Sequence, residues 1–399
     1  LRYSEAAWAA IDTGPYFTSM STYLTPEEAA HIVNDSGARV LVTSAAQAET
    51  IKPLRRLTPG VELILSLDGP VDGARDYDAV LAGEPDAPLE DETQGGLLLY
   101  SSGTTGAPSG IKPALTGLSP DEPAPLFRKL AELYGLDGDS VYLSTAPLYH
   151  TAPLKWNLTV QTYGGTSVIM PKFDPEAALA AIERYKVTHA QFVPTMFVRM
   201  LRLPAEVRER YDLSSLKAVV HAAAPCPLEV KRRMIEWLVP IVHEYYAGTE
   251  SNGMCAVSCQ EWLARPGTVG RAVRGTIHIT DMSGETEMPA GEPGLVFFDG
   301  GTPFSYHNSP VKTSRGRNSK GWTTIGDIGF LDADGYLFLT DRRDDVIISG
   351  GVNVYPFEIE QVLAAQDGVL DCAVISAPDA DFGEAGRAVM PAIPGSVAR

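Results

Sequence analysis

Residues 97–110 read Leu97-Leu98-Leu99-Tyr100-Ser101-Ser102-Gly103-Thr104-Thr105-Gly106-Ala107-Pro108-Ser109-Gly110. The leucines and tyrosine predict a short buried strand. A run of hydroxyls and glycines follows it at once. Glycine lets backbone turn tightly and approach a ligand, while Ser and Thr hydroxyls and free N–H groups donate to an anion. A strand feeding such a loop can cradle phosphate; a polar surface turn has the same composition. The loop is not a Walker A, because Ala107-Pro108-Ser109-Gly110 follows Gly106 and the nearest lysine is Lys112. No GxGxxG fingerprint for a nicotinamide or flavin occurs here.

Four further places could do chemistry. His150 follows a predicted strand (140–146), where ligands gather in α/β sheets; a structural loop histidine reads the same. Ala222-Ala223-Ala224 ends another strand, small enough for a flat ring to lie on backbone, or for plain close packing. Thr249 and Glu250 end a third, a hydroxyl beside a carboxylate that suits Mg²⁺ with phosphate or, equally, a helix cap. Asp327 lies between Gly326 and Ile328-Gly329, where its carboxylate could reach a diol such as ribose. The charged run Asp341-Arg342-Arg343-Asp344-Asp345 reads alone as a solvated turn.

The elements that position these residues alternate. Thr25-Pro26-Glu27-Glu28 starts a helix, with Thr as cap, Pro in the first turn and acids at the dipole. Strands are predicted at 39–43 and 60–68, a surface connection at 69–95 and loop at 112–124. Helix 125–134, strand 166–171, helix 174–185, strand 188–194 and helix 195–203 follow. Strand 216–224, helix 228–238 and strand 240–246 complete a layered α/β pattern. From about Val269 short strands alternate with Gly/Pro/Asp turns, which predicts a small β-barrel or sheet. The last stretch carries a helix (356–366) and a strand (370–375), too little for a core of its own.

A chain of 399 residues, 44% hydrophobic and 21% charged, has ample material for a large core. A net charge of −18 argues against a general nucleic-acid surface but not against a local basic pocket. No apolar run reaches the roughly 18 residues of a membrane span. Cys226, Cys255, Cys259 and Cys372 complete no zinc spacing and predict free thiols in a reducing cytoplasm. The opening Leu1-Arg2-Tyr3 has neither an initiator methionine nor a signal peptide, so a chain cut from a longer one is expected.

In their order and spacing these sites resemble the AMP-forming acyl- and aryl-CoA synthetases, within the adenylate-forming family that includes firefly luciferase and peptide-synthetase adenylation domains. The resemblance covers nearly the whole chain. Tyr100 to Gly110 is similar to the family's phosphate loop, and Tyr246-Ala247-Gly248-Thr249-Glu250 to its Tyr-Gly-x-Thr-Glu motif. Ile325-Gly326-Asp327 matches Thr-Gly-Asp, and 341–360 matches the hinge and the helix after it. The fold implied is α/β: a large layered domain at 1–342 with a β-rich subdomain at about 269–342, then an incomplete α+β lid at 343–399.

The resemblance also implies roles. Ser101, Ser102, Gly103, Thr104, Thr105 and Gly106 would hold the β- and γ-phosphates of ATP. Thr249 would touch the α-phosphate, and Glu250 would hold Mg²⁺. Tyr246 and Ala222, Ala223 and Ala224 would sandwich adenine, while Asp327, assisted by Arg342, would bind ribose. His150 would sit where acyl group, adenylate and thiol meet. Asp344 would be the hinge, and Ser349, Gly350 and Gly351 would face the pantetheine of CoA. The expected partners are a carboxylic acid, ATP and CoA, with a homodimer admitted and the cytoplasm as compartment.

Three departures stand out. Ser109 replaces the family's lysine, Ala247 replaces a glycine, and the chain stops before the Pro-x-x-x-x-Gly-Lys segment of the lid. An impaired nucleotide- or acyl-binding protein, or a fatty-acyl-AMP ligase serving a carrier protein, is therefore carried as an alternative. The resemblance puts the acyl-pocket walls after His150 and around 191–196, where Trp156, Phe192, Met196 and Phe197 are apolar, which implies an apolar acid, fatty or aromatic.

Overall fold

A computed structural model describes residues 2–101, 108–342, 347–349, 352–354, 356–364, 366, 369, 372–379 and 383–390. The chain divides into two compact units, each discontinuous in sequence. The first is Leu1–Asp139, Ala146–Ser167 and Thr302–Thr313; the second is Ser140–Thr145, Val168–Gly301 and Ser314–Arg399.

In the first unit, local chemistry sets the elements. The helix Pro26–Ser36 begins in a capping box in which Thr25 and Glu28 satisfy each other's backbone donors, and it ends at Gly37 in the left-handed region. It packs Ala29, Ala30 and Val33 on Ile51 and Leu54 of the helix Ala48–Leu57. The strands Val40–Ser44 and Leu63–Leu67 pair in parallel and add Leu41 and Ile64 to the same core. A second small core joins Ala7 and Ile11 to Leu99, Phe127, Leu154 and Leu158.

Two findings there differ from the pattern read in the sequence. The leucine-rich strand is two short pieces. Gly96–Leu97 pairs parallel with Tyr16–Phe17, and Leu99–Ser101 pairs antiparallel with Ser109–Pro113, so the chain changes partners at buried Leu98. A helix, Thr151–Thr162, follows His150 directly. It buries Pro153, Leu154, Trp156, Asn157, Leu158, Thr159 and Val160, leaving no polar face from which a helical period could be read.

The second unit is built on parallel strands. Val141–Ser144, His189–Phe192, Ala218–His221 and Val242–Tyr246 lie side by side in that order. His189–Phe192 and Ala218–His221 are buried at every position, as strands covered on both faces must be. The helix Pro175–Tyr185, capped by Asp174, contributes Ala178, Leu179 and Ile182 to the main core; Leu228–Trp237 contributes Met234 and Ile235. Antiparallel strands Met254–Ser258 and Thr268–Arg274 extend this sheet. Leu337–Arg342, Asp327–Leu331, Gly294–Asp299 and Thr276–Thr280 continue it, so the β-rich stretch after Val269 grows out of the large sheet's edge. Further on, Ala373–Asp379 and Gly383–Val389 form an antiparallel pair, as do Ile347–Ser349 and Val352–Val354.

Candidate active site

In the second unit several of the expected residues meet at the carboxyl ends of neighbouring parallel strands, where ligands of α/β sheets bind. His221 and Glu244 are register partners. Beyond that pair Ala222–Ala224 leaves the sheet, while Tyr245 and Tyr246 run on as the last residues of their strand. Ala222 is buried, Ala223 and Ala224 are exposed, and Ala223 holds a left-handed φ of 76°. A non-glycine residue at that φ is strained, and such strain collects at functional sites.

Half-buried Tyr246 donates its hydroxyl to a carboxylate oxygen of Asp327. Asp327 is 5% exposed and opens the strand Asp327–Leu331. Its register partner on the neighbouring strand is Arg342. Strand register thus joins Asp327 to the backbone of Arg342, and the side-chain bond joins Tyr246 to Asp327. Half-buried Thr249 and Glu250 follow in the turn after Tyr246. A Cβ at Gly248 would stand 2.8 Å from a Glu250 carboxylate oxygen and 2.9 Å from Ile325, so glycine is what lets this turn close.

Beneath the strand ends lies a buried ionic cluster that single-sequence reading missed. Lys231, 1% exposed, bonds Glu244 and sits 4.9 Å over the Trp262 ring. His221, fully buried, has its Nε2 3.5 Å from a Glu244 oxygen and its ring edge-on to Phe197. Neither His221 nitrogen makes a hydrogen bond among the described residues. Burial, with Lys231 beside it, pushes the His221 pKa well below the ordinary value, so the ring is neutral. Burial raises the Glu244 carboxyl, and Lys231 opposes that rise. The available signal was Glu244 beside His243 within a predicted strand.

A second polar run crosses the same strands. The Tyr142 hydroxyl donates to Gln191 Oε1 at 3.3 Å, and Gln191 Nε2 donates to the Tyr245 hydroxyl at 2.8 Å.

In the first unit, Ser101 ends its strand half-buried, with Ser109 as register partner. Ser102, Gly103, Thr104, Thr105 and Gly106 lie outside the described residues. The strand Ser109–Pro113 also pairs with Phe304–Tyr306. Half-buried Asp35 ties the neighbourhood together: it accepts from the Tyr100 hydroxyl at 2.7 Å and from Asn308 Nδ2 at 3.0 Å, and its carbonyl meets His307 Nε2 at 2.9 Å. His150 caps Thr151–Thr162 by position, without a side-chain bond to the helix, and its ring lies 4.4 Å from that of Tyr149. The residue is exposed, yet the partial desolvation of its ring lowers its pKa below the ordinary value. Ser349 ends the strand Ile347–Ser349, and Asp344, Gly350 and Gly351 lie outside the described residues.

The layered α/β sheet has the fold of the adenylate-forming enzymes. Residues 1–305 match the model of the AMP-binding enzyme family, and the chain belongs to that family. A feruloyl-CoA synthase of Amycolatopsis is 33% identical over 99% of this chain and 77% of its own length. A ligase of Mycobacterium tuberculosis that joins a methyl-dioxo-octahydroindenyl propanoate to CoA is 33% identical over 96% of this chain and 75% of its own. Among solved structures, ATP-bound MatB from Rhodopseudomonas palustris superposes with a TM-score of 0.80 at 27% identity, covering 100% of this chain and 82% of that one. An anthranilate CoA ligase in complex with anthranoyl-AMP gives 0.80 at 26%, over 96% of this chain and 73% of that one. By class the protein is an AMP-forming acid–CoA ligase, using ATP and CoA. No helix among the described residues is long and apolar enough to cross a membrane.

Proposed function

We propose that this protein activates a ring-bearing apolar acid, an aromatic carboxylate above all, as its acyl-adenylate and then passes the acyl group to CoA. The observation that carries the reading is the buried Asp327 carboxylate, held by Tyr246 opposite Arg342 at the strand ends. A carboxylate in that position suits a ribose diol, with the Tyr246 ring and the Ala222–Ala224 segment on either side of adenine. The fatty half of the expectation from sequence gains nothing from the relatives. The Amycolatopsis enzyme is named for ferulate, another is a 4-coumarate–CoA ligase of rice, and the solved neighbour binds anthranoyl-AMP.

In the first half-reaction a carboxylate oxygen of the acid attacks the α-phosphorus. The bond to the bridging oxygen breaks, and pyrophosphate leaves with the electron pair. In the second, the CoA sulfur attacks the acyl carbon, AMP leaves, and the thiol proton is lost to solvent. Neither step needs a strong base; both need in-line placement and neutralised charge. His150, kept neutral near pH 7 by its lowered pKa, adds no positive charge where acyl group and thiol meet. Ser101 and the loop after it would hold the outer phosphates, and Thr249 the α-phosphate.

Glu250 and Thr249 offer the hard oxygen donors that Mg²⁺ prefers. No group of three or more His, Cys, Asp or Glu gathers among the described residues, so phosphates and water would complete the metal's shell. Bound there, Mg²⁺ would offset phosphate charge. Residues 1–342 would form the nucleotide-binding body and 343–399 the lid, turning at Asp344 with Ser349, Gly350 and Gly351 toward pantetheine. The free thiols of all four cysteines suit a reducing cytoplasm.

ATP–pyrophosphate exchange with ferulate, 4-coumarate, anthranilate and long-chain fatty acids, followed by CoA-dependent thioester formation, tests this. Exchange with the aromatic acids that falls about 30-fold in Asp327→Ala is expected, since one charged hydrogen bond is worth roughly 2 kcal/mol. Exchange with fatty acids alone would overturn the substrate, and exchange untouched in Asp327→Ala would overturn the ribose role.

A further inference from the structure

Two stretches of the second unit, 246–252 and 323–327, are tied at three points in antiparallel order although they do not pair as neighbouring strands. The Tyr246 hydroxyl donates to the Asp327 carboxylate, Gly248 lies against the Ile325 side chain, and Asn252 Nδ2 donates to the Thr323 carbonyl at 3.3 Å. Thr249 and Glu250 sit between the second tie and the third. We propose that Asn252 is a positioning residue: it fixes the end of the turn that presents Thr249 and Glu250, so that the turn keeps its place beside Asp327 and meets a nucleotide's phosphate. The proposal deepens the ligase reading and rests on it for the nucleotide roles of Thr249, Glu250 and Asp327.

The turn is held from more than one side. Ser251 N–H donates to the Gly248 carbonyl at 3.1 Å, and Ser251 takes a left-handed φ of 54°, which a residue with a side chain keeps only where its surroundings hold it. Arg274 Nη1 donates to the Ser251 carbonyl at 3.4 Å. Asn252 itself is 1% exposed. The backbone around it is packed to contact: a Cβ on Gly301 would stand 1.8 Å from the Asn252 carbonyl oxygen, and one on Gly253 1.9 Å from the Phe298 ring. Thr323, which receives the amide, is a fixed point, because it exchanges N–H to carbonyl bonds with Phe298 in both directions, at 2.8 and 2.9 Å.

The amide carries a cost that a mere filler of space would not. Asn252 Oδ1 is buried and makes no hydrogen bond among the described residues. A leucine has nearly the same shape and would fill the place with no orphaned oxygen. What leucine lacks is the N–H that reaches Thr323. The competing reading is a strut, in which the bond only steadies the bridge between Thr323 and Phe298.

Calorimetric titration of the 399-residue protein with AMP and with adenosine separates the two, because only AMP carries the phosphate that the turn would meet. In Asn252→Leu, AMP is expected to bind about fivefold more weakly while adenosine changes less than about twofold, since about one hydrogen bond's worth of positioning is lost at the phosphate end alone. Ser251→Gly relieves the left-handed backbone and frees the same turn. It should stand as firm as wild type in urea and still bind AMP about threefold more weakly. Tyr246→Phe, at the opposite end of the three ties, should weaken AMP and adenosine alike. Equal losses for AMP and adenosine in Asn252→Leu would make Asn252 a strut and overturn the proposal, and so would unchanged AMP affinity in either turn variant. Should Asn252→Leu fail to fold, Ser251→Gly decides alone. A wild-type protein that binds AMP no tighter than adenosine would take the phosphate role from Thr249 and Glu250, and the proposal with it. A preference for AMP that survives both turn variants would overturn the proposal and leave the ligase reading standing.

Discussion

Two carboxylates each tie a helix to a strand in this protein, and their acidities move in opposite directions. Glu244, in the second unit, is 7% exposed, is bonded by Lys231 and has its pKa raised by burial. Asp35, in the first, is half-buried; burial pushes it up, but the hydrogen bonds from Tyr100 and Asn308 outweigh that and leave it lowered. One carboxylate is tied by an opposite charge at high desolvation cost, the other by neutral donors at a modest one. The first kind of tie is costly to break, because removing its partner strands a charge in apolar surroundings; the second loses only a hydrogen bond or two.

The largest test of that difference is Lys231→Met against Asp35→Ala. Lys231→Met leaves Glu244 buried and unpaired and should cost about 3–5 kcal/mol in urea unfolding. Asp35→Ala should cost about 1–2 kcal/mol. Adding Glu244→Gln to Lys231→Met should recover a large part of the loss, since the two side chains act as a pair. Equal costs for the two single variants would break the comparison.

The pH dependence sharpens it. His221 is fully buried, faces Glu244, Lys231 and the Phe197 ring, and has a lowered pKa. Below about pH 6.5 the unfolded chain takes up a proton that the folded ring refuses, so stability falls as pH falls. One such proton costs about 2 kcal/mol between pH 6.5 and pH 5. Asp35, with its lowered pKa, contributes stability that is complete above about pH 3.9 and is lost only further down. Acid destabilisation between pH 6.5 and pH 5 should therefore come from the histidines, offset in part by Glu244, whose raised pKa lets the folded chain take up its proton before the unfolded one. His243 and His150 are shifted the same way and add to the slope. The measurement is the difference between wild type and His221→Gln: the variant's stability should be flatter by about one proton across this window, and identical slopes would remove His221 from the account.

What could be read from sequence follows from the range of the interactions involved. Thr25, Asp174 and the prolines after them announce their helices because capping is settled within four residues. The parallel strands are legible because short runs rich in apolar and β-branched residues recur between predicted helices, even where a His, Gln or Glu interrupts them. The helix after His150 was missed because its buried faces erase the 3.6-residue period. Tyr246 and Asp327 were each found by motif, but their bond joins side chains 81 residues apart on strands that are not neighbours in the sheet. Lys231 reads locally as an ordinary surface lysine of a charged helix, and Asn252 as part of a polar turn. Only tertiary packing gives them Glu244 and Thr323 as partners, and neither contact leaves a local trace.

The smallest expected effect lies within one segment, Ala222-Ala223-Ala224, where two neighbouring alanines should answer oppositely to the same change. Ala222 is 4% exposed and holds an ordinary backbone conformation; Ala223 is exposed at a φ of 76°. Glycine at 222 removes a buried methyl and adds unfolded-state freedom, which together should cost about 1–2 kcal/mol. Glycine at 223 adds the same freedom, worth about 0.4–1 kcal/mol against folding, but releases left-handed strain of about 1 kcal/mol or more. Ala223→Gly should therefore be neutral to slightly stabilising in urea unfolding. If the strain serves to hold the exposed backbone flat for adenine, the same variant should bind AMP a few-fold more weakly while standing at least as firm. A variant that loses stability in step with Ala222→Gly would mean that Ala223 carries no strain, and the adenine role of this segment would then rest on small side chains alone.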